Sequence, residues 1–357
     1  MQRYSSFSLP RRERPAGGLE QNAMDLATTY MGLQLRNPLV ASASPLTATI
    51  GNIVKLETYG AGAVVLPSIF QEQIEAERDE LEERTSIGRE SSPEALGYFP
   101  SPETYAVGTR RYIELIRRAR SAVSIPIVAS LNGTTSEGWI EFAREIEAAG
   151  AHGLELNVYF IPADSALDGR DVEQRYLAIV QAVRAAVRIP LAVKLSPFFS
   201  APAAFARRLQ DAGADALVLF NRFYQPEIDL TNLTLRNDLE LSSRQEIRLP
   251  LLWIAILAGR LNVSLAATTG VETSEEAVKY LLAGADVVMT TSSLLRRGLE
   301  HMEALVGGLE AWMQAWNFSS LSQVRGLLSQ ERIADPTAFE RANYIQVLQS
   351  YSGARRN

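Results

Sequence analysis

Ile189-Pro190-Leu191-Ala192-Val193-Lys194-Leu195-Ser196-Pro197 reads as an apolar strand that runs straight into a lysine. Strands buried on both faces are near-continuous Val, Ile, Leu and Ala runs, so a lysine inside one must find an anion or a carbonyl to offset its desolvation. Two partners are open to Lys194: a carboxylate such as Glu155, or a ligand at the strand's C-terminal end. The strand also belongs to a series. Ser124-Ile125-Pro126-Ile127-Val128-Ala129-Ser130 and Asn262-Val263-Ser264-Leu265-Ala266-Ala267 follow amphipathic helices in the same way. Between these units Tyr59-Gly60-Ala61-Gly62-Ala63, Ala149-Gly150-Ala151, Ala212-Gly213-Ala214 and Ala283-Gly284-Ala285 each close a helical pattern and open an apolar run. The glycine is the expected helix C-cap, because it enters the left-handed region without steric cost.

Counted in order, the strands fall near 38–43, 62–67, 125–130, 152–157, 190–195, 215–220, 263–267 and 286–290, with helices between them. Eight alternating units with short helix-to-strand joints predict an α/β fold, a parallel (β/α)8 TIM barrel. The rival, an open doubly wound sheet, calls for a glycine-rich fingerprint after its first strand, and the sequence has none there. Thr28 to Val40 predicts a short N-terminal hairpin turning near Gly32 and then the first barrel strand, which ends at Ala41-Ser42-Ala43-Ser44. Two longer connections, 69–104 and 221–246, follow strand C-termini, where such barrels hold their active sites, and are expected to roof a pocket. In the first of them the charged run Glu72 to Arg84 is a solvated helix and Glu94 to Pro100 an inward loop.

The organisation predicted is a flexible arm over 1–23, a barrel over 24–317 and a helical extension over 318–357. In that extension Leu321 to Leu328 and Pro336 to Tyr351 are amphipathic. Phe339, Tyr344, Val347 and Leu348 recur at helical spacing and would cover either the barrel or a second subunit, as in a homodimer. The arm has no secretory h-region, and the most apolar stretch, Leu249 to Ala258, is shorter than the roughly 20 residues a membrane span needs. A cytoplasmic protein is expected. Net charge of -6 and the lack of a sustained basic block give no footprint for nucleic acid. With no cysteine and only His152 and His301, the chain offers no thiolate and little for a metal, so difficult redox chemistry would need an organic cofactor.

Strand ends carry polar residues: Asn132, Asn157, Lys194 and Asn221 end the third to sixth strands. Carboxamides donate and accept, which suits the edge of a planar heterocycle; each asparagine alone reads better as a loop cap, and their joint occurrence on consecutive strands favours a ligand. Thr268-Thr269-Gly270 and Thr290-Thr291-Ser292-Ser293 end the seventh and eighth strands and open helices. Barrels often bind phosphate at these two loops, and Ser and Thr are also plain N-caps.

In these motifs the chain resembles the dihydroorotate dehydrogenase family, flavin mononucleotide barrels, particularly its soluble branch. The likeness covers about residues 25–315: Met31-Gly32-Leu33-Gln34-Leu35-Arg36-Asn37-Pro38, Ala61-Gly62-Ala63-Val64-Val65, Gly153-Leu154-Glu155-Leu156-Asn157, Val193-Lys194-Leu195-Ser196-Pro197 and Thr269-Gly270-Val271-Glu272-Thr273, in order. It implies FMN as cofactor, with Ser42, Ala43 and Ser44 lining the flavin, Asn132 and Lys194 at its ring, and Asn157 and Asn221 facing flavin and substrate. Thr269, Gly270, Thr291 and Ser292 would cradle its phosphate. Lys194 beside the N1 and O2 edge would stabilise the negative charge that gathers there on reduction.

The departures bear on catalysis. The family follows its fourth strand with a loop whose cysteine or serine takes a proton from substrate carbon; here Phe160 stands in that place within Val158-Tyr159-Phe160-Ile161-Pro162-Ala163-Asp164. The lysine after the second strand is replaced by Pro67, the substrate asparagine of the next loop aligns with Glu94, and Ser242-Ser243 stands near the missing glycine pair. Tyr159 and Ser68 are the candidate catalytic residues, and Asp164 a further conceivable base. Three readings follow: an FMN-dependent oxidoreductase acting on dihydroorotate or a related reduced planar substrate, in pyrimidine biosynthesis if the family activity is kept; a flavin-binding subunit serving an electron-acceptor protein; and a barrel lyase or isomerase using Lys194 as a Schiff-base amine.

Overall fold

The structure, a computed structural model, describes residues 24–71, 108–133, 137–222, 225–236 and 240–340. The N-terminal arm, the run Glu72 to Arg84, the loop Glu94 to Pro100, and Tyr344, Val347 and Leu348 lie outside the described residues.

Two short strands, β1 (Thr28–Tyr30) and β2 (Leu33–Leu35), pair antiparallel across a two-residue turn at Met31 and Gly32. Both turn residues have positive φ, as a tight hairpin requires. The hairpin plugs the lower mouth of the barrel: Tyr30, Met31 and Leu35 pack with Val40, Val65, Val128 and Met289 in its interior, and the Met31 amide donates to Ser264 Oγ at 3.1 Å.

Eight parallel strands close the barrel. In chain order they are β3 (Leu39–Ala41), β4 (Ala63–Phe70), β5 (Ile127–Asn132), β6 (Gly153–Asn157), β7 (Leu191–Leu195), β8 (Ala216–Leu219), β11 (Ser264–Ala267) and β12 (Val287–Thr290). A hairpin of β9 (Glu227–Asp229) and β10 (Thr234–Arg236) stands outside it, in the second long connection. Helices over 50–58, 109–122, 137–148, 169–186, 202–211, 248–257, 274–283 and 301–315 follow the barrel strands in turn, with a short extra helix at 292–297. Their apolar faces bury against the strands' outer side chains, as Tyr112, Ile116 and Ala119 do at helical spacing. Gly60, Gly150, Gly213 and Gly284 stand at φ of 100°, 92°, 104° and 121°, so the repeated glycines reverse the chain as their spacing predicts.

Two local features depart from the simple pattern. Between β4 and β5 the register slips by one residue: Val65 opposes Val128, but Ser68 opposes Ser130. Pro67 has no amide hydrogen for the ladder, so the chain bulges there and β4 runs on to Phe70. The second feature corrects an expectation. Leu321 to Leu328 does not form the predicted helix: a 3-10 turn at Leu321–Gln323 gives way to turns, with Gly326 at φ 73°. The reason is tertiary. The amides of Gly326, Leu328 and Gln330 donate to Leu281, Leu282 and Ala255 carbonyls at 2.8–2.9 Å, tying the segment across the helices 248–257 and 274–283.

The Arg36-Asn37 part of the opening motif is structural. The Arg36 guanidinium donates to the Glu57 and Ala61 carbonyls. Buried Asn37 donates to Gly60 O at 2.7 Å and accepts from the Leu39 amide at 2.9 Å, locking the first helix-to-strand joint to β3. Asn37→Ala leaves both groups unpaired and is expected to destabilise the fold by about 2 kcal/mol or more, at ~1–3 kcal/mol for each buried unpaired group; urea unfolding measures it.

Candidate functional site

The C-terminal ends of the strands surround a cavity of about 320 Å³, inside the size range of roughly 300–1,000 Å³ for small-molecule and cofactor sites. It brings together Ser42, Ala43 and Ser44 after β3, Ser68 on β4, Lys194 on β7, Asn221 after β8, Thr269 and Gly270 after β11, and Thr291 and Ser292 after β12. Ten of the residues picked out from sequence therefore face one space. Asn157 is buried one step back and reaches it through Asn221, whose Nδ2 donates to Asn157 Oδ1 at 2.6 Å. Asn132 is buried on β5 level with Asn157 and stands outside the lining. Tyr159 is half-buried and Asp164 exposed, both outside the lining, and Glu94 lies outside the described residues.

Lys194 is the cation of the inner wall. Its side chain is 11% exposed, and its nearest counter-charge is Glu155 Oε1, 3.8 Å away on β6. That is an ion-pair distance but too long for a hydrogen bond. Among the described residues the ammonium has no hydrogen-bond acceptor, so its N–H groups are available to a ligand in the cavity. Of the two partners open to Lys194, the carboxylate stands behind it, and the cavity, where a ligand would sit, lies in front. Burial pushes the Glu155 carboxyl above the usual carboxylate range, against the pull of Lys194.

Opposite Lys194 the wall is built of hydroxyls. Thr290 Oγ1 lies 2.8 Å from Ser293 Oγ and donates to Val271 O, while Thr291 Oγ1 donates to Ser42 O. Sequence reading passed over Ser242, which completes this wall. Its amide and hydroxyl donate to Ser292 Oγ at 3.2 and 2.9 Å, and its hydroxyl accepts from the Gly270 amide at 3.2 Å. Arg296 fixes it by donating to the Leu241 and Ser242 carbonyls, and is itself paired with Glu272 at 3.2 Å. The signal available was Ser242-Ser243 at the family's glycine pair. Thr269 is held at φ 81°, an outlier for a β-branched residue, and Tyr280 OH pins it by donating to the Thr269 carbonyl at 2.8 Å. Backbone strain of this kind clusters at ligand clamps.

On the remaining side Ser68 Oγ and Ser130 Oγ share a hydrogen bond at 2.8 Å, brought level by the β4 bulge. Phe160, at the position of the family's base, does not line the cavity; the Arg175 guanidinium lies over its ring at 4.0 Å. His152 opens β6 at the far end, with Nδ1 accepting from the Ile127 amide, and burial together with Arg120 lowers its pKa. His301 bonds the Glu272 carbonyl through Nε2. Among the described residues the titratable side chains lining the cavity are Lys194, Arg222 and Glu240. Arg222 donates to the Glu240 carbonyl and pairs with Glu246 at 3.1 Å. Among the described residues no cluster of His, Asp and Glu could hold a metal ion, and no helix is long and apolar enough to cross a membrane.

The donor set fits a cofactor with a hydrogen-bonding ring edge and a phosphate. Lys194 and the Asn157–Asn221 pair could serve the ring; the Ser292 hydroxyl, with those of Ser242, Thr269 and Thr291 once turned from their present acceptors, could serve the phosphate. Barrels commonly hold phosphate at the loops after their last two strands and a short extra helix.

Comparison with known proteins agrees with this geometry. Residues 25–313 match the sequence model of the dihydroorotate dehydrogenase family. The chain is 26% identical over 310 residues to the catalytic subunit of dihydroorotate dehydrogenase B (NAD(+)) from Methanothermobacter thermautotrophicus, covering 85% of this chain and 98% of that one. It is 27% identical over 274 residues to the same-named protein of Methanocella arvoryzae, covering 76% and 87%. It is 24% identical over 338 residues to the NAD-dependent dihydropyrimidine dehydrogenase subunit PreA of Escherichia coli, covering 85% and 76%.

Gly270 tests the clamp. A Cβ there would stand 2.6 Å from Ile247 Cγ2 and 2.7 Å from the Ser243 carbonyl, on a backbone at φ 73°. Gly270→Ala is expected to lower stability by about 1–3 kcal/mol, read by thermal or urea unfolding, and to weaken binding of a phosphate-bearing ligand in a calorimetric titration.

Proposed function

Since the chain belongs to the dihydroorotate dehydrogenase family, we propose that this oxidoreductase binds FMN in the cavity and oxidises dihydroorotate or a related reduced planar substrate. The observation that carries this reading is Lys194: an ammonium without a hydrogen-bond acceptor among the described residues, facing a cavity whose far wall is built of hydroxyls. When bound, a flavin supplies a hydride acceptor. The chain's own groups do the rest. Lys194 places a positive charge where negative charge gathers, which costs no reorganisation because the barrel holds it in place. Ser242, Thr269, Thr291 and Ser292 would hold the phosphate and so anchor the cofactor in the cavity that Lys194 faces. Asn157 and Asn221 present one joined carboxamide edge, able to donate and accept toward a planar ring of alternating N–H and C=O groups.

Proton removal is the weaker half of the site. Ser68 Oγ, with Ser130 Oγ behind it, is the hydroxyl that reaches the cavity on the side away from Lys194. A hydroxyl pair without a histidine or carboxylate passes a proton poorly, so carbon deprotonation is expected to be slow. That same observation favours the second reading, a flavin-binding subunit that hands electrons to a partner protein; the three relatives compared are all by name subunits, two of them catalytic subunits.

The purified full chain is expected to be yellow or to take up FMN with quenched flavin fluorescence. Lys194→Ala is expected to weaken FMN binding about 10–100-fold, corresponding to the ~1.5–3 kcal/mol of a hydrogen bond to a charged group. Anaerobic mixing with dihydroorotate separates the two flavin readings: bleaching of the flavin absorbance supports the dehydrogenase, and its absence supports the electron-transfer subunit. A colourless chain that binds no added FMN rejects both.

A further inference from the structure

Glu155 has no role in the site as described, yet its position is singular. It is the third residue of β6, level with Ser130 on β5 and Ala192 on β7, and its side chain is fully buried. Lys194 stands one inward layer higher, level with Asn157. Neither Glu155 oxygen has a hydrogen-bond partner among the described residues. Ser130 is turned to Ser68, and the Tyr112 hydroxyl is bonded to the Ser130 backbone. Tyr30, rising from the hairpin plug, keeps a buried hydroxyl that also lacks a partner. The titratable groups facing Glu155 are therefore Lys194, Tyr30 and Tyr112; burial first, and then the Glu155 charge, push both tyrosines up, so they stay neutral.

A pair made for stability would close to roughly 2.7–2.9 Å with its remaining lone pairs satisfied. This one stops at 3.8 Å and leaves the carboxylate unbonded. The chain also holds three lysines, Lys55, Lys194 and Lys279, against 32 arginines (35 less 3). Lys55 and Lys279 lie on outer helices, so the barrel interior has received a compact point charge in a chain that otherwise uses arginine.

We propose that Glu155 is a positioning residue that tunes a bound flavin from beneath, by setting how much of the Lys194 cation the ring experiences. With Glu155 ionised the pair is neutral overall and the ring meets a muted charge. With Glu155 neutral the pair carries a full positive charge and the reduced, more negative ring is held more tightly. Glu155 never touches the cofactor; it acts through Lys194. This rests on the flavin reading given above.

The test uses full-length wild type, Glu155→Gln, Lys194→Met and the double variant, each loaded with FMN. Two quantities are read from pH 5 to 8: the dissociation constant for oxidised FMN, and the midpoint potential against a reference dye. At pH 8 Glu155→Gln is expected to raise the ratio of reduced-to-oxidised affinity at least tenfold, which is about 30 mV for a two-electron couple. Because burial raises the Glu155 pKa, its charge is present above that value and lost as pH falls through it. Wild type should then converge on the variant as pH falls. In the Lys194→Met background, burial without a cation neutralises Glu155, so adding Glu155→Gln should leave the ratio unchanged. A purely structural role would weaken both oxidised and reduced forms and leave the ratio alone. A ratio within threefold of wild type at pH 8, or an equal shift with and without Lys194, overturns the proposal. Should Glu155→Gln fail to fold, Glu155→Asp withdraws the charge by one methylene and must move the ratio in the same direction; no movement overturns it equally. Wild type that takes up no FMN defeats the flavin reading itself, a result distinct from FMN bound at an unchanged ratio.

Discussion

A closed eight-stranded barrel is filled by its own side chains, so a charge placed inside it must be answered from within the barrel. The pair of Glu155 and Lys194 is where this constraint is met. Below the pair the interior is apolar, sealed by Tyr30, Met31 and Leu35 of the hairpin and by Val65, Val128 and Met289. Above Glu155 stand Asn157 and Lys194 and a cavity lined by Ser42, Ser44, Asn221 and Thr269 among others. The boundary between packed core and functional rim thus runs through one ion pair. Lys194 stands at that boundary with the buried Glu155 carboxylate behind it and the cavity in front.

The barrel was legible because its information is local. Apolar runs such as Leu191 to Leu195 end in polar residues, and a glycine reverses the chain before each of several strands. Those signals need only a few neighbouring residues, and all eight predicted strands overlap observed ones. The hydroxyl wall was partly legible for the same reason, since Thr269-Gly270 and Thr291-Ser292 sit at the ends of predicted strands. Ser242 was not. Its partners, Gly270 and Ser292, lie 28 and 50 positions away, and a serine beside a helix start looks like an ordinary cap. The bulge at Leu66-Pro67 was hidden too, because register is a property of two strands and not of one. Leu321 to Leu328 misled in the opposite sense: its helical pattern is real, but the carbonyls of Leu281, Leu282 and Ala255 claim its amides.

Lys194, Thr269, Gly270, Thr291 and Ser292 come from β7, β11, β12 and the turns after them; Gly270 and Ser292 are joined through Ser242, itself at the family's missing glycine pair, and Thr291 bonds Ser42 O. Two further departures concern the loop after β6 and the end of β4. In the first, Phe160 lies outside the cavity lining under Arg175, packed as a hydrophobe would be and not held as a proton acceptor. In the second, Pro67 bulges the strand and delivers Ser68 to Ser130. The two halves of the chemistry have separate supports in the fold, so one can drift without disturbing the other. Positioning a ring and its negative charge needs fixed dipoles and one cation, which the strands of the barrel supply. Taking a proton from carbon needs a base of suitable pKa within reach, and here the hydroxyl pair of Ser68 and Ser130 has no carboxylate or imidazole hydrogen-bonded to it among the described residues. A site divided in this way keeps its electron chemistry wherever the substrate, or a partner protein, brings the means of releasing its own proton.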